Sequence, residues 1–176
     1  KPGMYELPLG LPLQEVIEKV AGGLREGRSL KGIIPGGSST PVLTAEDAKT
    51  VTLDYESMAA HGTMFGSGGI VVLDDTVDVV KLVENLIHFY HHESCGQCTP
   101  CREGLGWMLK IVQKILNYEG TTADIDLLLE LCDNIEMKTV CVLSAACTMS
   151  TRSYLNKFRS EFEAYVAQSA SKHATM

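Results

Sequence analysis

Three cysteines spaced two residues apart, Cys95, Cys98 and Cys101, stand in the run His-Glu-Ser-Cys-Gly-Gln-Cys-Thr-Pro-Cys-Arg-Glu-Gly from His92 to Gly104. This spacing constrains the chain more than any other feature, because one turn of backbone can then present three thiolates to one face of a metal cluster. An iron–sulfur cube is held in that way, with its last ligand supplied from elsewhere in the chain. The chain therefore reads first as an electron carrier.

The remaining cysteines decide where the fourth ligand lies. Bacterial ferredoxins add a cysteine after three further residues; here Arg102-Glu103-Gly104 is followed by Leu105. Cys132 shares an apolar helical stripe with Leu128, Leu129 and Ile135 and reads as a buried core thiol. Cys141 and Cys147 both fall in the connection between two helical segments. Cys141 is favoured as the ligand, with Cys147 in reserve. Structural zinc is the competing reading. It commonly uses two separated pairs of ligands, a pattern that three equally spaced cysteines and one distant cysteine match less well. Six cysteines could also make three disulfides. The triplet is too tightly spaced to pair with itself, and a chain of this length folds without staples, so metal-bound thiolates in a reducing compartment are expected.

The 176 residues allow one domain or two small ones. A formal charge of −7 argues against a nucleic-acid or anionic-membrane partner, since both need a basic face. No apolar run approaches the roughly 20 residues that span a bilayer, so any membrane association is expected to run through a partner. The chain opens at Lys1 with neither Met nor a signal sequence, which suggests a piece of a longer polypeptide or a processed one.

Punctuation divides the chain into an α+β module over residues 1–75, a helical bundle over 76–166 and a polar, flexible tail over 167–176. In the first part, Met4 to Leu7, Leu30 to Ile34 and Gly69 to Leu73 read as short strands. Leu13, Val16, Ile17 and Val20 put a helix between the first two, stopped by Gly22-Gly23. In the second part, Val79, Leu82, Val83, Leu86 and Tyr90 line a helix that leads into the cysteine run. Leu105, Met108, Leu109, Val112 and Ile115 line the next. A third starts at Thr121 or Thr122, and a fourth near Ser150 or Thr151 carries Tyr154, Leu155, Phe158 and Phe162. Four amphipathic helices predict a small bundle. The three thiols then sit on the loop between its first two helices.

Other motifs are weaker. Pro35-Gly36-Gly37-Ser38-Ser39-Thr40-Pro41 and Gly66-Ser67-Gly68-Gly69 look like phosphate loops but lack the Gly-Lys-Ser/Thr ending, so tight turns are expected. His91, His92 and Glu93 are expected to end a helix rather than ligate metal. Arg102 is placed either to offset the negative charge of a cluster or as a plain surface residue. No Ser/His/Asp or paired-carboxylate constellation stands out.

These residues resemble the NADH-binding flavoprotein subunit of respiratory complex I and its relatives in NAD-linked hydrogenases and formate dehydrogenases. The resemblance rests on Pro35 to Leu43, Phe89-Tyr90, His92 to Gly104, Trp107-Met108, Lys138-Thr139-Val140-Cys141 and Phe158-Arg159. It implies a soluble-ligand-binding β-grasp module followed by an iron–sulfur helical bundle. Cys95, Cys98, Cys101 and Cys141 would carry one [4Fe–4S] cluster that receives electrons from FMN reduced by NADH. The Pro35–Pro41 loop looks more like the complex I branch than the hydrogenase branch. The family's FMN- and NADH-binding domain has no counterpart here. The resemblance therefore implies a C-terminal fragment, a split subunit or the retained half of a reduced protein, which by itself should not oxidise NADH.

Implied partners are an FMN-binding domain in the same or another chain, a [2Fe–2S] subunit and a multi-cluster iron–sulfur subunit. The implied location is the matrix side of the inner mitochondrial membrane, with the bacterial cytoplasm or a mitochondrion-related organelle as alternatives. The family also follows its fourth cysteine with a Gly- and Asp-containing turn and a Pro, where this chain reads Val142-Leu143-Ser144-Ala145-Ala146-Cys147-Thr148-Met149. The competing class of function is a structural or interaction module whose metal only staples the bundle. Ligand binding by the β-grasp half is a third reading.

Overall fold

Apolar residues change from mixed spacing to helical spacing at about Thr76, close to the division between Val77 and Asp78. The computed structural model, which describes residues 1–173 and side chains as far as Gln168, divides there into two units, Lys1–Val77 and Asp78–Met176.

In the first unit a short helix α1 (Leu13–Glu15) runs into a π-helical turn, Val16–Val20, and the strands are β1 (Leu30–Ile34), β2 (Leu43–Thr44) and β3 (Val71–Asp74). A 3-10 turn, Asp47–Lys49, and helix α2 (Tyr55–Ala60) lie between β2 and β3. β1 is central and antiparallel to both neighbours, with Ile33 opposite Leu43 on one side and Val72 on the other. Leu13, Ile17, Ile33, Leu43 and Met58 form the core. Asp54 caps α2 by accepting the Ser57 N–H, satisfying a donor that the first turn leaves without a helical partner. The strand expected over Met4–Leu7 does not form. Met4 and Tyr5 are both exposed and only Leu7 packs on the core, so the segment has no alternating inward face to hold it against a sheet.

The two glycine-rich loops are turns locked to each other. Gly37 donates its N–H to Gly69 O, and Ser67 donates to Gly36 O. Thr40 Oγ1 receives the Gly36 N–H and donates to Gly37 O. A Cβ on Gly36 would lie 2.2 Å from Phe65 O, and one on Gly66 would lie 2.2 Å from Gly36 O. Only glycine permits this approach. The Gly36 and Gly37 N–H groups that could cradle a phosphate are already used.

The second unit is all helical: α3 (Val79–His92), α4 (Thr99–Leu116), α5 (Thr122–Ile135), α6 (Leu143–Lys157) and α7 (Arg159–His173). α4 packs on α3 and α5, and α6 on α5 and α3. Val83, Leu105, Met108, Ile125 and Leu128 are fully buried, as the periodicity predicts, and Ile87 joins them while Leu82 is half-buried. Asp78 caps α3, and Thr121 with Asp124 forms a capping box on α5.

The expected fourth helix is instead two helices. The first begins at Leu143 rather than near Ser150, and the path breaks at Phe158. Arg159 opens the second by pairing with Asp126 and Glu163, which ties α7 to α5. The tail expected from Ala167 is helical as far as His173, and its last three positions lie outside the described residues. Among the described residues no helix is long and apolar enough to cross a membrane.

Candidate metal centre

The cysteine run connects α3 to α4. α3 ends on His91 and His92, with Glu93 as its C-cap, and the His91 ring packs against Gly106 of α4. Among the described residues no three His, Cys, Asp or Glu side chains converge on a site for a metal ion.

The triplet spans the loop and the start of the next helix. Cys95 is exposed on the loop and Cys98, half-buried, is the N-cap of α4. Thr99 and Pro100 open the helix, where a proline has no helical N–H to lose. Cys101 is therefore inside the first turn and buried, not on the loop ahead of the helix as the sequence suggests. A helix start directs free N–H groups and the positive end of its dipole towards an anionic group.

Gly96 bends the loop at φ 78°, a left-handed conformation that glycine adopts without strain. Arg102 Nη1 donates to Gly96 O at 2.7 Å, and its Nε donates to Glu103 Oε1 at 2.8 Å. Arg102 is thus a clamp that fixes the loop to the helix, a role that neither reading of the sequence anticipates.

Two hydrogen bonds reach the sulfurs. Val140 donates its backbone N–H to Cys98 Sγ at 3.5 Å, bringing the segment that carries Cys141 onto the cysteine run. Ser94 Oγ lies 3.2 Å from Cys101 Sγ. Cys141 is exposed in the turn between α5 and α6, where Thr139 Oγ1 donates to its carbonyl at 2.8 Å and lies 2.7 Å from Ser144 Oγ. Ser94, Thr139 and the Val140 N–H carry no periodic signal. Only their adjacency to cysteines could have marked them.

Cys132 and Cys147 occupy different ground. Cys132 is buried in α5, as its stripe predicts. Cys147 lies within α6, not in the connection before it, and is also fully buried. Burial pushes both thiols up to about 12, and at Cys147 the nearby Cys132 and Cys101 sulfurs add to the effect. Both are neutral thiols at any ordinary pH.

The residues present fit an iron–sulfur cluster. The donor set is sulfur alone, which soft-ligand chemistry matches to Fe–S centres. The Val140 N–H is directed at the Cys98 sulfur, the Ser94 hydroxyl lies beside that of Cys101, and both cysteines stand at the start of α4. In the first unit, an open notch of about 430 Å³ is lined by Ile17, Leu24 and Leu30 together with Arg25, Arg28 and Lys49. Its cations are already paired with Asp74, Asp75 and Glu46.

Residues 81–165 match the family described as the NADH-ubiquinone oxidoreductase-F iron-sulfur binding region, and residues 1–73 match the SLBB domain. The chain is 47% identical over 168 residues to the second F-type subunit of the NADH-quinone oxidoreductase of Rhizobium meliloti (strain 1021), covering 96% of this chain and 40% of that protein. It is 45% identical over 166 residues to the F-type subunit of the NADH-quinone oxidoreductase of Mycobacterium tuberculosis (strain ATCC 25618 / H37Rv), covering 94% of this chain and 37% of the relative. The chain thus spans about 40% of the length of the curated relatives it matches. Among solved structures it resembles an NAD+-reducing [NiFe]-hydrogenase in the air-oxidized state, with a TM-score of 0.82 and 27% identity, over 94% of this chain and 28% of that one.

Proposed function

We propose, from the match of residues 81–165 to the iron–sulfur binding region of the NADH-ubiquinone oxidoreductase-F family, that the chain is the electron-transfer part of an NADH-oxidising assembly, an NADH dehydrogenase of the complex I type. Cys95, Cys98, Cys101 and Cys141 hold one [4Fe–4S] cluster. The observation that carries this reading is the Val140 N–H on Cys98 Sγ, which sets the fourth cysteine's segment on the triplet 42 residues away in sequence.

When bound, such a cluster supplies one-electron transfer. The chain's own residues hold it in place: Arg102 fixes the loop, the start of α4 faces the negative charge, and Thr139 braces the turn that presents Cys141. FMN and NAD(H) bind outside this chain's two units, on a flavin domain of the same or another chain. A [2Fe–2S] subunit and a multi-cluster iron–sulfur subunit complete the assembly. It is a peripheral body on the inner face of a bacterial membrane or the matrix face of the inner mitochondrial membrane, and the chain reaches the membrane through its partners.

Anaerobic reconstitution with iron and sulfide tests the reading. About four iron atoms per chain and a reduced-cluster EPR signal are expected, and Cys98→Ser or Cys141→Ser should abolish both. Tightly bound zinc without sulfide would overturn it. A second reading, the equivalent subunit of an NAD-linked hydrogenase, is favoured by the 0.82 TM-score to the hydrogenase. The higher identity to the quinone-linked relatives favours the first. Identifying the chains that co-purify with the native protein separates them.

A further inference from the structure

We propose that the Ser94 hydroxyl is a hydrogen-bond donor to the Cys101 sulfur and sets the reduction potential of the centre. The inference rests on the cluster reading above and adds a residue that is not a ligand. Its direction follows from the hydrogen-bond pattern around one oxygen. Ser94 Oγ accepts the Gly96 N–H at 3.3 Å, which occupies an acceptor position. The same oxygen lies 3.2 Å from Cys101 Sγ. A metal-bound thiolate has no proton to give, so the Ser94 O–H must be the donor to it.

The position suits this role. Ser94 follows the end of α3, its N–H held by His91 O at 3.3 Å, and Cys101 is buried in the first turn of α4. Arg102, the next residue on α4, grips Gly96 O at 2.7 Å. Both ends of the Ser94–Cys101 contact are therefore fixed by bonds other than their own. A hydroxyl held in this way needs no reorganisation when the charge on the sulfur changes.

The direction of the effect follows. Reduction adds negative charge to the cluster and its sulfurs, so a donor to Sγ stabilises the reduced state more than the oxidised state and raises the potential. Charge-assisted bonds are the stronger class, and this contact is partly shielded from water. The Val140 N–H on Cys98 Sγ acts in the same sense but at 3.5 Å, and as a backbone group it is removed only by proline, which also restricts the turn. Ser94 is the donor that mutation can isolate.

The test is a redox titration of the cluster-loaded protein followed by EPR, with iron and sulfide counted on each sample. Ser94→Ala should keep its full iron and sulfide and shift the midpoint potential to a more negative value. Ser94→Thr, which keeps the hydroxyl, should restore the original potential. One exchangeable-proton coupling in the ENDOR spectrum should vanish in Ser94→Ala and remain in Ser94→Thr. Should Ser94→Ala load poorly, Ser94→Gly removes the same hydroxyl without adding bulk and should give the same negative shift. An unchanged potential in a fully loaded Ala or Gly variant would overturn the inference while leaving the cluster reading intact. An unmodified protein that takes up no iron and sulfide would overturn both.

Discussion

The six cysteines divide by environment, and that division governs what each can do. Cys95 and Cys141 are exposed, Cys98 half-buried and Cys101 buried at the site, whereas Cys132 and Cys147 are sealed among the helices. The last two are held neutral to about pH 12 by burial. In the unfolded chain they ionise near their ordinary 9.0. Their contribution to stability is therefore complete below pH 9 and is lost as the pH rises from 9 towards 12, because the unfolded state sheds the protons first. Cys132→Ala with Cys147→Ala should lower stability at pH 7, since each removes packed volume, yet flatten the loss above pH 9. Urea unfolding of both proteins at several pH values reads this directly, and parallel curves would refute it. In the folded, metal-free chain a thiol-alkylating reagent should modify Cys95 and Cys141 rapidly and leave Cys132 and Cys147 untouched, as intact-mass analysis would show.

At the scale of elements, much of the bundle was legible because its buried faces are made of large apolar residues at helical spacing. The exception is the start of α6. Its inward face is Ser144, Ala145, Cys147, Thr148, Ser150 and Thr151, which has no apolar stripe to read. Thr148 donates back to Ala145 O, and Ser150 to Ala146 O and Cys147 O, so these two buried hydroxyls are satisfied within the helix. The candidate ligands stand out in the sequence by their spacing alone. Their supporting donors do not, because a single Ser or a backbone N–H leaves no pattern.

Two junctions here are open to test. Met137, just past α5, sits at φ 56° and is 79% exposed. A left-handed residue with a Cβ costs about 1–2 kcal/mol, while glycine's looser unfolded chain returns about 0.5–1 kcal/mol of that, so Met137→Gly should stabilise by up to about 1 kcal/mol in thermal unfolding. Gly104 of α4 meets Ile135 at the end of α5, where an added Cβ would lie 2.6 Å from Ile135 Cδ1. Alanine gains about 1 kcal/mol of helix propensity but overpacks at about 1–3 kcal/mol, so Gly104→Ala should destabilise. Ile135→Val, which deletes Cδ1, should recover part of that loss in the double variant.

For the molecule as a whole, each unit secures its own side of the join. On the first, Lys31 Nζ donates to Val77 O, Asp75 donates its N–H to Ser29 O, and Asp74 receives Arg25 at 2.7 Å. On the second, Asp78 receives the Tyr165 hydroxyl and caps α3, while Glu161 accepts the Val79 N–H at 3.2 Å. The candidate ligands, the Arg102 clamp and both sulfur donors all belong to the second unit. Because the named groups of the candidate centre all belong to the second unit, residues 78–176 expressed alone should fold as helix and take up the same iron per chain as the whole protein. Circular dichroism and iron analysis of that fragment are the measurements. A folded fragment that binds no iron while the whole chain binds its full complement would mean that the first unit contributes to the centre. An unfolded fragment would mean that the helical core needs the first unit for its stability. Full loading would confine the electron-carrying part of the molecule to fewer than 100 residues, with the 77 before them free for another task.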